Sequence, residues 1–453
     1  MSRGSPIASL ADALDRRIGR SAPRPSVWPT GVGPMISHVI VVSFLVLFVT
    51  GVFLTLFYRP SVAPVTYTGS STLYDGATLP HAYASVVRLS SDIPGGLFVK
   101  RVHTAASHLF LAAIVLHLLR VMATGQFRRP RLGNHLLGIL LLLLGIGFAY
   151  TGELLPFTLV ASSSLRIAEA VLASIPFLGE PLASIVIGTE LPSDRILIGA
   201  WALHVVLLPL GFAALTYWHL RLVHRRTPTT HLRPDLDVTR VAVGRPLWPD
   251  AVARFALLTT GIVTLLTLSA ALIPWADREL AGPFVPAEAT NSVHPAWPLF
   301  FTTGALRVLP AIDLTFLGMR ITNVFVAAAV LPGILIGMLA VYPFLERKLL
   351  GDDADHHTVD RILDVPLRAG AVGAFTGIGA VLTLAAGVDV LSFWLATPVE
   401  SVVVAFRVAL VAVPALAAAV MVKAAHTRAR AEAEAFRRPA PVRPTSPQQE
   451  DSP

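Results

Sequence analysis

Residues 97–121 read LFVKRVHTAASHLFLAAIVLHLLRV, and residues 197–222 read LIGAWALHVVLLPLGFAALTYWHLRL. Each run is long enough to cross a hydrocarbon core, which takes about 20 residues of helix, and each carries two histidines. His103 and His117 lie 14 residues apart; His204 and His219 lie 15 apart. An ionisable side chain within a membrane helix is costly and by default marks function. Two matched pairs in two such runs point to an all-α membrane fold in which these helices stand side by side.

The rest of the chain agrees. It has 453 residues, 54% hydrophobic and only 14% charged, against roughly 25% charged residues in soluble domains. This excludes a soluble domain and predicts a polytopic membrane protein. The net charge of +8 is no nucleic-acid footprint, because the basic residues fall in short segments between apolar runs. The chain has no cysteine, which excludes disulfides, thiolate-bound metal, iron–sulfur ligation and covalently attached haem on this chain.

Eight spans are predicted, at about 35–57, 98–121, 134–157, 196–222, 251–274, 320–345, 367–395 and 399–424. Arg128, Arg129 and Arg131, then Arg225, Arg226 and Arg233, then Arg347 and Lys348, cluster on alternate connections. The positive-inside rule therefore puts both termini in the cytoplasm. Three connections on the other side, 58–97, 158–195 and 275–319, are long for loops, and long loops tend to be functional. The second reads as a helical hairpin broken by Pro176 and Pro181. Residues 6–20 have the pattern of a short amphipathic surface helix. The Pro-rich segment from about 426 reads as disordered. The expected divisions are a cytoplasmic segment 1–34, a four-helix domain 35–225, a second four-helix domain 226–425 and a tail 426–453. No internal repeat is visible, which argues against an inverted-repeat transporter.

Fourteen residues cover roughly 21 Å of helix in nearly four turns, so the two imidazoles of a pair face one way. The second and fourth spans both run antiparallel to the third, hence parallel to each other. His103 then meets His204 at one level, and His117 meets His219 at the other. An imidazole from each side is the ligand set of a b-type haem, so the front four helices are expected to bundle around two non-covalent haems. Gly138 and Gly152 in the third span are also 14 apart, as are Ser37 and Gly51 in the first. Glycine lets a flat macrocycle approach the backbone. His108, five residues after His103, points elsewhere and reads as packing.

These residues resemble cytochrome b of the quinol-oxidising cytochrome bc complexes, over nearly the whole chain. The 14 and 15 spacings, TGQFRRPRLGNHLLG followed by FAYTGELLPF, SIPFLGEPL, GRPLWPDAVARF and LAVYPFLERKLLGDDADHHTVDR are most similar to the chloroplast-type and actinobacterial branches. Pro209, five residues after His204, matches the family's helix proline. The resemblance implies that Arg120 pairs with a propionate of the inner haem, and that Lys100 or Arg101 serves the outer haem, since a carboxylate calls for a charge-assisted partner. It likewise implies that His224 and Asp250 stand at an inner quinone site, where reduction consumes protons.

The pattern breaks at one motif. Where the family carries PEWY before the sixth span, this chain has Pro295, Ala296, Trp297 and Pro298. Pro295 and Trp297 survive, but alanine can neither take a proton nor bond a hydroxyl. Glu153, in TGELLPF, stands where the family usually has an aromatic residue and offers a displaced carboxylate; His294 is a weaker candidate. The resemblance implies a quinol:cytochrome c oxidoreductase subunit in a bacterial plasma membrane, with a Rieske iron–sulfur protein, a cytochrome c, quinone and membrane lipid as partners, in a homodimeric complex. The altered motif keeps open a diverged dihaem cytochrome without bifurcating quinol oxidation. A transporter or assembly protein would leave four membrane histidines idle.

Overall fold

The computed structural model describes residues 27–28, 31–188, 193–225, 230–231, 245–275, 282–285, 297–311, 313–316, 319–356 and 358–437. Among them, eight helices are long and apolar enough to cross a membrane: α1 Val32–Phe57, α2 Gly96–Ala123, α3 Leu132–Leu154, α4 Asp194–Val223, α5 Leu247–Leu272, α6 Asn323–Leu350, α7 Pro366–Ala385 and α8 Val399–Glu434. The ends follow local chemistry. α2 starts behind Gly95 at φ 77°, a left-handed turn that glycine takes without a Cβ clash. α6 stops at Gly351 in the left-handed conformation, whose N–H returns to the Arg347 carbonyl.

α1 packs on α2 and α3 packs on α4, and these two pairs meet through α2 and α3. Between the two histidine levels the bundle is filled by aromatic rings. Phe44 lies 4.8 Å from Phe212, and Phe110 lies 5.2 Å from Phe212, by ring centroid. Phe148 closes the group against Phe212 at 6.1 Å. Phe110 and Phe212 are fully buried. In the back half α7 lies on α8 through small residues: a Cβ on Gly373 would meet the Ala417 carbonyl at 2.8 Å, and one on Gly377 would meet Pro414 at 2.9 Å. Close backbone approach of this kind is how helices associate where lipid removes the hydrophobic drive.

Two spans differ from the sequence expectation. The seventh ends at Ala385 rather than 395, and Val388–Trp394 is a separate short helix. Apolar residues continue across the Gly387 turn, so hydropathy could not register the break. The eighth continues helically to Arg437, past the point where the composition marks the start of a disordered tail. The 158–195 connection is a helical hairpin, Leu159–Ala173 and Gly179–Val186. Pro176 lies at its corner, whereas Pro181 sits in the first turn of the second helix, where a missing N–H costs little. The expected surface helix at 6–20 lies outside the described residues.

The connection after α1 is locked to α2's entrance. A short hairpin pairs Pro64–Thr66 with Thr78–Pro80, and Asp92 accepts hydrogen bonds from Ser70 N–H at 2.7 Å and the buried Tyr67 hydroxyl at 3.1 Å. The Ser70 N–H chiefly, then Tyr67 and Arg88, hold the Asp92 carboxyl below the ordinary carboxylate range.

At the α2–α3 turn a buried ion network joins the two halves. Arg368, 1% exposed, pairs with Glu346, 3% exposed, at 2.5 Å. It also pairs with Asp360 at 2.6 Å, and Arg128 reaches the same carboxylate at 2.9 Å. The Arg368 guanidinium stands 5.5 Å from the Phe127 ring centre and against Gly125, whose φ is 61°.

Candidate functional site

The four histidines meet as the spacing predicts. His103 and His204 face each other with ring centres 6.4 Å apart, and His117 and His219 with ring centres 6.3 Å apart. A metal-bound imidazole nitrogen stands about 2 Å from its metal and the ring centre ~1.1 Å behind it, so two rings opposed across one metal stand ~6.2 Å apart. The two gaps match that separation, and the residues fit a bis-histidine haem at each level.

The extra residue between His204 and His219 has a structural cause. Pro209 has no N–H to give to residue 205, and its ring crowds the carbonyl one turn back. The ladder responds with a π-turn over Leu203–Leu207, in which the Leu208 N–H reaches the Leu203 carbonyl. A π-turn absorbs one added residue, and such bulges gather at functional sites. Fifteen residues on α4 therefore cover the same rotation as 14 on α2, and both rings of each pair stay aligned.

The glycines divide into two kinds. A Cβ on Gly152 would sit 2.6 Å from His204 Cε1, and one on Gly51 would sit 3.3 Å from His103 Cε1. Gly152 must be glycine for the His204 ring to stand where it does, whereas a side chain at 51 would press the His103 ring back by a few tenths of an ångström. Gly138 would meet only Leu118, at 3.6 Å, so the chain itself does not demand glycine there.

Sequence reasoning missed the residues that orient the rings. Thr50 Oγ1 lies 2.8 Å from His103 Nδ1, and Thr151 Oγ1 lies 3.1 Å from His204 Nδ1. His103 and His204 also lean on the backbone of Leu47 and Phe148. Thr50-Gly51 recurs as Thr151-Gly152 at an offset of 101 residues, and His103 recurs as His204 at the same offset. The His103 and His204 rings are thus anchored by the same threonine–glycine arrangement on α1 and α3, a match too short in residues to stand out by sequence pattern. The Thr-Gly dipeptide 53 residues before each histidine was the available signal.

The Arg120 guanidinium lies against Gly33 and donates to Gln126 Oε1 at 2.8 Å. Among the described residues it has no carboxylate partner, which suits an anionic ligand group beside His117. Lys100 is buried and donates to Ser90 Oγ at 2.7 Å, while Arg101 beside it is partly buried. Glu153 is partly buried at the end of α3, near Tyr150. Trp297 packs against the aromatic core in a single 3-10 turn that meets α3. Asp250 pairs with Arg245 at 3.4 Å on the surface. Pro295, Ala296, His294 and the side chain of His224 lie outside the described residues. His108 packs against Trp275, ring centres 5.1 Å apart and tilted by 48°, and takes no part in the pairs.

Comparison with known proteins agrees with this geometry. Residues 108–283 match the family model described as cytochrome b(N-terminal)/b6/petB. The chain is 33% identical to the cytochrome bc1 complex cytochrome b subunit of Streptomyces coelicolor over 86% of its own length and 72% of the relative's. It is 32% identical to the Corynebacterium diphtheriae subunit of the same name, over 90% and 74%. For the Mycobacterium tuberculosis subunit the identity is 34%, over 86% and 71%. A solved chain titled hyperthermophilic respiratory Complex III shares the fold at a TM-score of 0.65 and 17% identity, covering 92% of this chain and 99% of that one. With the paired histidines, the glycine contacts and the eight helices, these relatives establish that the chain belongs to the family of cytochrome b subunits of cytochrome bc1 complexes.

Proposed function

We propose that this protein is the dihaem cytochrome b of a quinol:cytochrome c oxidoreductase, with both termini on the cytoplasmic side of a bacterial plasma membrane. The observation that carries the reading is the pair of histidine gaps, 6.4 and 6.3 Å, stacked in one bundle. His103 with His204, and His117 with His219, would each hold one haem b, which supplies one-electron redox chemistry when bound. Residues 35–225 would form the dihaem domain and 226–425 the second domain.

The chain's own groups supply orientation, dryness and proton handling. Thr50 and Thr151 hold the ligand rings, and Gly51 and Gly152 give those rings room. The Phe44, Phe110, Phe148 and Phe212 cluster excludes water between the levels. Arg120 offers its charge to a propionate, and Lys100 or Arg101 does so at the other level. Quinol oxidised at the outer end would give one electron to a Rieske partner and on to cytochrome c. The other would pass through the two levels to quinone at the inner end. Proton release outside and uptake inside then contribute to the gradient. Pro295 and Trp297 would border the outer site, with Glu153 standing in for the acid that Ala296 replaces. His224 and Asp250 would serve the inner site.

Ala296 favours one second reading, a dihaem cytochrome that carries electrons across the membrane without splitting the quinol pair. Quinol:cytochrome c reductase activity of the isolated complex separates the two. Inhibitor-sensitive turnover that falls in Glu153→Gln supports the first reading with its acid; the absence of any turnover in a complex containing both haems and the Rieske partner supports the second.

A further inference from the structure

The two histidine levels are built differently. At the His103/His204 level each Nδ1 meets a threonine hydroxyl, and each hydroxyl gives its own proton to a backbone carbonyl one turn back: Thr50 to Val46 at 2.7 Å and Thr151 to Gly147 at 2.7 Å. A hydroxyl has one proton to give. Towards the imidazole it can offer only a lone pair, so Nδ1 must carry the ring hydrogen and Nε2 is left as the bare nitrogen.

The other level lacks this arrangement. Ser37 Oγ, committed to the Gly33 carbonyl at 3.1 Å, stands 3.5 Å from His117 Nδ1, the outer limit of a hydrogen bond. The residue that repeats Ser37 at the 101-residue offset is Gly138, which has no hydroxyl. His219 Nδ1 leans on the Asn134 backbone but makes no bond of good geometry. One level therefore has two hydroxyl-anchored ligands and the other has none at short range.

We infer that Thr50 and Thr151 are positioning residues that set the reduction potential at the His103/His204 level. An acceptor on Nδ1–H fixes the tautomer and raises the basicity of the opposite nitrogen. A more basic ligand stabilises ferric over ferrous iron, and hydrogen bonding around ligands is one of the protein's levers on haem potential. The paired hydroxyls hold that haem at a lower potential than the same ligands would give without them. This rests on the dihaem reading.

The test is redox potentiometry followed by visible spectra on the intact complex purified from membranes. It compares the parent protein with Thr50→Val, Thr151→Val, the double valine variant and the two serine variants. The component lost in His103→Ala identifies the level. A positive shift of that component in each valine variant, larger in the double, with the other haem unmoved and the serine variants near the parent, is expected. Two bound haems with parental potentials in the double variant would overturn the inference and leave the dihaem reading standing. Absence of haem from the folded parent would instead remove that reading. If the valine variants shed the haem, the serine variants decide: a haem held there at the parental potential supports the inference, and a haem lost or shifted there as well overturns it, since the γ-methyl would then matter as much as the hydroxyl.

Discussion

Gly152 and Gly51 are where single atoms decide occupancy. A methyl group at 152 would stand 2.6 Å from the His204 ring, against 3.3 Å for the equivalent contact at 51. A contact under 3.0 Å in a packed bundle forces the neighbour to move. Gly152→Ala is expected to lose most of the haem at that level and Gly51→Ala a smaller part, as read by haem per chain; equal, full occupancy in both would contradict the contact argument. The ligands themselves were legible in the sequence because apolar helices make a histidine conspicuous. Their threonine anchors were not, since a hydroxyl one turn from a carbonyl is common in membrane helices and only the three-dimensional pairing gives it a role. The quinone-site candidates His224 and Asp250 rest on resemblance, and Glu153 on a departure from it, because a lone acid or base at a helix end carries no spacing signal of its own.

Among elements, α4 shows how the 15-residue spacing is reconciled with a helix. The π-turn before Pro209 absorbs one residue. Removing Val206 together with Pro209→Ala gives α4 the 14-residue spacing of α2 and is expected to keep both haems. Removing Val115 from α2, which has no bulge, turns His117 about 100° around the helix and is expected to cost one haem. Reduced spectra of the two deletions check this, and loss from both would contradict it. The spacing of 15 was visible in the sequence, but the bulge was not, because proline more often reads as a kink. The α1–α2 connection should respond to acid. The Asp92 carboxyl is held low, first by Ser70 N–H, so its contribution is present above the ordinary carboxylate range and is lost as pH falls through its depressed folded value. Proteolytic nicking of 61–95 is expected to rise only in strong acid in the parent protein, and at neutral pH in Asp92→Asn.

For the whole molecule, the Arg368 network is a polar join between the back half and the histidine bundle, beside the apolar packing of Ile262 and Leu266 on Val42, Ala105 and Ala106. Arg368 and Glu346 are almost wholly buried, and Asp360 links them to Arg128 in the α2–α3 turn. Removing one partner of a buried pair leaves a bare charge and costs roughly 3–5 kcal/mol. Arg368→Met is therefore expected to lower the thermal midpoint of the detergent-solubilised protein markedly, and Arg368→Met with Glu346→Gln to recover part of the loss. Eight spans followed from hydropathy, and the front-half bundle from the spacing of the four histidines. The join between the halves did not, since its residues, an arginine near a helix start and a glutamate near a helix end, look like ordinary boundary markers until folding brings them together.

The most direct test of the central claim is a dithionite-reduced minus oxidised spectrum, with haem quantification, of the purified membrane protein and of His103→Ala and His117→Ala. Two b-type haems per chain, falling to one in either variant, is the predicted result. Folded parent protein without haem, or variants that keep both, would contradict it.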